Sequence, residues 1–204
     1  MIYSYKITRD YGFAPNPFWG YCTLANCKPK IRKKANIGDW IIGTGAKTTN
    51  LEYHLIFIMQ VTEITEFQNY WDDQRFQCKK PNISGSLVQM HGDNIYNKQN
   101  ENWNQIDSHH SYPNGVINKR NLKQDLGGKY ILISELFYYF GNAHFELPDE
   151  YKSLCCKYRD RCKFKENDLS THFLNWISEN YEQGIHGDPI DWNDYNQKTI
   201  PFNL

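Results

Sequence analysis

Residues 55–64 read LIFIMQVTEI, and shortly before them residues 38–45 read GDWIIGTG. The first is an apolar, β-branched run of strand length. In the second, the Gly-Asp pair turns the chain and Trp-Ile-Ile opens another strand. Working outward, residues 2–9 (IYSYKITR) alternate apolar and polar side chains, which predicts a first strand. Residues 10–20 (DYGFAPNPFWG) hold two Pro and two Gly and predict a loop. A short helix is expected between Cys22 and Arg32, closed by Pro29. Residues 65–78 (TEFQNYWDDQRFQC) start with an N-cap and predict a short helix or turn.

Residues 129–134 (KYILIS) predict another strand, and ELFYYFG carries it toward a helix or a turn at Gly141. In residues 168–181, Leu169, Phe173, Leu174, Trp176 and Ile177 fall at helical spacing, so an amphipathic helix is expected, stopped at Gly184. Residues 184–197 read as loop. Residues 81–128 are rich in Asn, Gly, Asp and Ser and read as a long loop. His91, Tyr96, Trp103, His109, His110 and Tyr112 punctuate it, so it is expected to be ordered and to wall a functional pocket. Strands first and a helix late predict an α+β fold. Its sheet would be curved and mixed or antiparallel, or a small barrel, with flanking helices and long ordered loops. A length of 204 residues suits a single domain, 1–204, with a sizeable core.

The 23 basic and 23 acidic side chains cancel, so the whole molecule does not attract nucleic acid. Any such binding must rest on a local patch. CKPKIRKK, residues 27–34, offers one: Lys28, Lys30, Arg32, Lys33 and Lys34. It is equally a solvated helix end. Aromatic residues make up 16% of the chain, enough for a ring-padded core or for a pocket that stacks bases. No secretory leader is read at the N-terminus and no apolar run reaches membrane length, so a cytoplasmic protein without membrane contact is expected. Its six cysteines are then expected to be reduced. Only Cys22 and Cys27 have spacing compatible with zinc, so no metal and no cofactor are expected. Cys22 could be a nucleophile, but no base is specified for it. The chain lacks GxxxxGK[ST], GxGxxG, GxSxG and HExxH, which weighs against P-loop hydrolases, nicotinamide enzymes and metalloproteases. Asp107, His109 and His110 in QIDSHHS could bind metal, shuttle protons, or simply hydrogen-bond a loop.

Several strings together resemble a known family. They are TRDYGFAPNPF at 8–18, CTLANCKPKIR at 22–32, GDWIIGTG at 38–45, YW-D-RF at 70–76, GDNIY at 92–96, DSHHS at 107–111, YFG at 139–141 and GIHGDPIDW at 184–192. They resemble the second type of nucleotide modification associated domain, a bacterial and phage family, within a looser likeness to EVE and PUA-like domains. KYRDRCKF at 157–164 departs from the pattern expected before the last helix. The resemblance implies a setting in nucleotide or DNA base modification, not the chemistry. The leading expectation is a pocket that recognises a nucleic acid or nucleotide carrying a modified base. Tyr70 and Trp71 would stack the base, with Trp40 and Tyr96 beside it, and Asp39 and Asn94 would read its edge. Lys28, Lys30, Arg32 and Arg75 would hold phosphate. One alternative is an enzyme on a nucleobase or nucleotide, with Arg9, Asp10, Asp107, His109 and His110 supplying acid–base catalysis. Another is a regulatory or interaction protein of a phage or defence system.

Overall fold

A computed structural model describes residues 1–158 and 161–192. In chain order the elements are β1 (Ile2–Ile7), β2 (Cys22–Leu24), α1 (Pro29–Arg32), β3 (Trp40–Gly45), β4 (His54–Gln60), β5 (Glu63–Glu66), α2 (Phe67–Asp72), α3 (Leu87–Met90), β6 (Tyr96–Gln99), β7 (Asn102–Gln105), α4 (Lys119–Leu126), β8 (Tyr130–Ser134), β9 (Leu136–Tyr139), β10 (Phe145–Glu146), β11 (Cys162–Phe164), α5 (Asp168–Asn180) and β12 (Gly184–Ile185). The largest sheet runs β11-β1-β3-β4-β9-β12, with β10 paired to β4. It is mixed: β1 and β3 are parallel, whereas β3, β4 and β9 alternate in direction. A second sheet, β2-β8-β5, is antiparallel, and β6 and β7 form a separate hairpin. The fold is α+β, and its sheets stay open rather than closing into a barrel.

β4 lies between β3 and β9, so both of its edges are hydrogen-bonded, and the second sheet and α5 cover its two faces. That explains why Leu55, Ile56, Phe57, Ile58 and Met59 are all apolar and all at most 1% exposed. Period-two alternation divides the large sheet's side chains between two cores. Tyr3, Tyr5, Ile41 and Tyr139 point toward β2, β8 and α1. Ile2, Ile42, Ile58 and Tyr138 pack with Phe173 and Ile177 of α5. The far side of the second sheet, Ile131 and Ile133, packs on Phe67, Tyr70 and Tyr96. The layers therefore run α5, large sheet, second sheet, then α2 with the hairpin.

Several local expectations need correction. The run at 55–64 is two strands. After Gln60 the Val61 N–H bonds the Asp39 carbonyl and the Thr62 N–H bonds that of Ile133, which carries the chain from the large sheet to the second. Pro29 opens α1 instead of closing a helix, because its fixed φ and missing N–H suit a first helical position, and residues 22–24 before it are strand. The segment 81–128 carries α3, β6, β7 and α4, whose polar sequences conceal regular structure. Leu136–Tyr139 is a strand of its own, and α5 ends at Asn180, with Gly184 already in β12. Cys156 and Cys162 form a disulfide, so the six cysteines are not all thiols. Part of the expected tail loop, residues 193–197, lies outside the described residues. Among those described, no helix is long and apolar enough to cross a membrane.

Candidate functional site

β2 delivers the chain to a tight turn before α1. There Cys27 and Lys28 adopt positive φ, 56° and 38°. Such backbone is costly for non-glycine residues and persists only where the surroundings hold it. Here they do. The Cys27 N–H donates to Asp125 Oδ1 at 2.8 Å, and Arg32 Nε donates to the Cys27 carbonyl at 2.8 Å. Asn26 is pinned by its Nδ2 to the Asp93 carbonyl at 2.8 Å.

Asp125 comes from α4, which packs against α1, and is fully buried. Its Oδ2 accepts from Tyr96 Oη at 2.8 Å and meets His110 Nδ1 at 2.7 Å. Gln105 Nε2 supports the Tyr96 hydroxyl at 3.2 Å. The other ring nitrogen of His110, Nε2, lies 3.6 Å from Cys27 Sγ. Asp125 can only accept once ionised, which places a proton on Nδ1 and turns Nε2 toward the sulfur. Burial opposes charge on His110, but its hydrogen bonds to Asp125 and Cys27 outweigh that and raise its pKa to about 10. Its neighbour His109 goes the other way. Surrounding protein bulk, then His110 and His91, lower its pKa, although part of its ring meets solvent.

Cys27, Lys28, His109 and His110 line a cleft of about 580 Å³ together with Arg9, Tyr11 and Phe13. Rings crowd one side: Tyr11 and His109 are 4.8 Å apart between centroids, and Phe13 and His110 4.6 Å. The Lys28 ammonium sits 4.3 Å from the centroid of the Tyr5 ring. Tyr5 also lines the cleft, and its buried hydroxyl has no hydrogen-bond partner among the described residues.

The model of the family described as nucleotide modification associated domain 2 matches residues 1–196, which include every residue of this cleft. The chain belongs to that family. Membership points to a role in nucleotide or base modification. No curated protein and no solved structure matches the chain significantly.

Within this member of the nucleotide modification associated domains, the residues singled out from sequence scatter. Arg9, Lys28, His109 and His110 meet in the cleft. Asp10 is buried beneath it, accepting from Tyr139 Oη at 2.7 Å; burial raises its pKa to about 6. Asp107 accepts from Ser111 Oγ on a different surface depression. Arg32 cannot reach a phosphate: it has no exposed surface, and its guanidinium donates to the carbonyls of Cys27, Tyr130 and Asp125. Arg75 is spent on Glu63 and Asp73, at 2.8 and 2.7 Å. Tyr70 is a core residue whose hydroxyl donates to Asp93 at 2.8 Å, so it offers no stacking face. Asn94 is buried and bonds the Tyr70 and Phe76 carbonyls. Asp39 holds its own turn through the Asn36 N–H and the Met1 amino group. Trp40 packs on the α5 core, and Trp71 stacks under Lys80. Lys30 is exposed on α1. Tyr96 supports Asp125 and touches no open space.

Sequence reasoning missed Cys27 and Asp125. The available signal was a cysteine in a strand–turn–proline context, just ahead of the basic helix α1. Nothing local tied it to Asp125. The cysteine considered instead, Cys22, is fully buried, and burial pushes its thiol pKa well up.

Proposed function

We propose that the chain, acting as one domain, binds a nucleobase or nucleotide, the modified base of its family's setting, in the cleft beside Cys27. Tyr11 and His109 supply ring faces for the base, and Lys28 supplies positive charge for phosphate, with Arg9, which also pairs with Asp191 at 3.2 Å, at the rim. The observation that carries this reading is that rings and cations share one concave surface in a member of a nucleotide-modification family. The unpartnered Tyr5 hydroxyl supports it, since buried polar groups ordinarily have partners and a ligand could supply one. The test is calorimetric titration with a panel of modified and unmodified nucleosides and their monophosphates. Tyr11→Ala should weaken binding of both by about 1–3 kcal/mol, the usual worth of one base–ring stack. Lys28→Gln should weaken monophosphates more than nucleosides, and Trp71→Ala should change neither. If the Tyr11 and Lys28 variants bind like the unaltered protein, the ligand sits elsewhere.

A further inference from the structure

Cys27 does not stand alone. Sulfur, imidazole and carboxylate follow one another: Cys27 Sγ to His110 Nε2 at 3.6 Å, then His110 Nδ1 to Asp125 Oδ2 at 2.7 Å. The sulfur is partly buried on the cleft wall, and the carboxylate behind the ring has no exposed surface. We propose that Cys27 is a nucleophile that bonds covalently to the ligand in this cleft. His110 takes and returns its proton, and Asp125 and Tyr96 act as positioning residues. The identity of the ligand rests on the proposed function, whereas the reactivity of Cys27 does not.

The same three residues present ligand-type atoms within 4.8 Å of one another, a set that could hold a metal ion. Hydrogen bonding favours the relay. Asp125 Oδ1 is taken by the Cys27 N–H, and Oδ2 by both Tyr96 and His110. A cation would have to displace donors from a fully buried carboxylate. The other thiols lack a relay. Cys22 is sealed in the core, Cys155 is buried with its pKa raised to about 11, and the exposed Cys78 faces the Arg75 carbonyl at 3.7 Å.

The step balances without a co-reactant. Sγ adds to an electrophilic carbon of a conjugated ring bond in the base, the class of centre that suits a soft sulfur nucleophile. The S–C bond forms from a sulfur whose proton His110 Nε2 already holds, the imidazolium state that its contact with Asp125 favours. The displaced electron pair moves to a neighbouring ring atom, which takes that proton from His110. Reversal breaks the S–C bond and returns the proton to sulfur. The charged and titratable groups around the pair are Tyr5 on β1, Lys28 and Arg32 on the α1 side, Arg9 beyond the end of β1, His109 beside His110, and Asp125 and Tyr96 from α4 and β6.

Iodoacetamide alkylation of the intact protein, followed by peptide mapping across pH 5–10, tests the proposal without any nucleotide. Cys27 should alkylate about tenfold faster than Cys78 at neutral pH, as activated thiolates do. His110→Gln should remove that advantage and shift the Cys27 pH profile while Cys78 is unaffected. Asp125→Asn should act likewise. Because that buried change could unfold the chain, Tyr96→Phe is the second variant, expected to shift the profile modestly in a protein that stays folded but melts lower, since Gln105 loses its acceptor and Asp125 one of its donors. Cys27 reacting no faster than Cys78, or a profile indifferent to His110→Gln, overturns the proposal. So does stoichiometric zinc that shields Cys27 and is lost on Cys27→Ser. A Cys27 that is reactive but not protected by any nucleoside or nucleotide supports the nucleophile and sinks the ligand reading instead.

Discussion

At the scale of single residues, the site depends on which charges are buried and what meets them. His110 has a folded pKa of about 10 against an ordinary 6.5, so folding binds its proton more tightly. The stability this supplies is complete below about pH 6.5 and is lost as pH rises toward 10. Replacing His110 by Gln removes that dependence. The stability gap between the unaltered protein and His110→Gln, measured by urea unfolding, should therefore narrow from pH 6.5 to pH 9.5. Groups remote from His110 cancel in the difference, whereas Cys27 and Asp125, which touch it, contribute to the change. A gap constant over that range would falsify the charged state of His110. Arg32 makes the complementary point. A guanidinium that reads as phosphate-binding in sequence is consumed by three carbonyls, one of them that of Cys27. Its long apolar stem and five donors suit it to that buried task.

At the scale of elements, the turn between β2 and α1, the loop between β7 and α4, and α4 itself build the relay, and α5 takes no part in it. Gly128, just after α4, passes so close to Arg32 that an added Cβ would lie 2.5 Å from the guanidinium carbon. Gly128→Ala should displace Arg32, cost about 1–3 kcal/mol from overpacking, and slow alkylation of Cys27. Phe173 of α5 is fully buried on the opposite face of the large sheet. Phe173→Ala should cost more, about 3–5 kcal/mol, yet leave the Cys27 rate unchanged while the protein stays folded. Thermal melts paired with alkylation rates check both. Equal effects of the two variants on Cys27 would mean that the relay merely reports global stability.

At the scale of the whole molecule, charge is balanced and the basic stretch at 28–34 is divided by burial. Lys30, Lys33 and Lys34 are exposed, whereas Arg32 is sealed and Lys28 is committed to the cleft wall. Any nucleic-acid binding through this face should be weak and salt-sensitive. Each phosphate contact adds about −0.9 to the slope of log affinity against log salt for duplex, or about −0.7 for single strands. Replacing Lys30, Lys33 and Lys34 together by Gln should flatten that slope in fluorescence-anisotropy titrations at unchanged melting temperature. An unaltered slope would make the patch an ordinary solvated face. Arg32 is left out of that variant because its loss would strand three buried carbonyls.

The sequence by itself determined the elements whose side chains repeat with a local period. The apolar run that became β4, the alternation of β1 and the helical spacing of Phe173, Leu174 and Ile177 all report burial of a face, and together they made the α+β class legible. The strings from 8–18 to 184–192 were enough to place the chain in its family, and DSHHS marked His109 and His110 for a pocket. Tertiary structure alone decided the rest. Cys27 and His110 are 83 residues apart, and Asp125 lies 15 residues beyond His110 in a polar helix that reads as loop. No local pattern encodes that meeting, because it arises where the turn after β2 is wedged against α4. The same holds for Tyr70, Asn94 and Arg32. Their polar atoms look available in sequence, and only the packing of α2, the hairpin and α1 shows that the chain's own backbone already holds them.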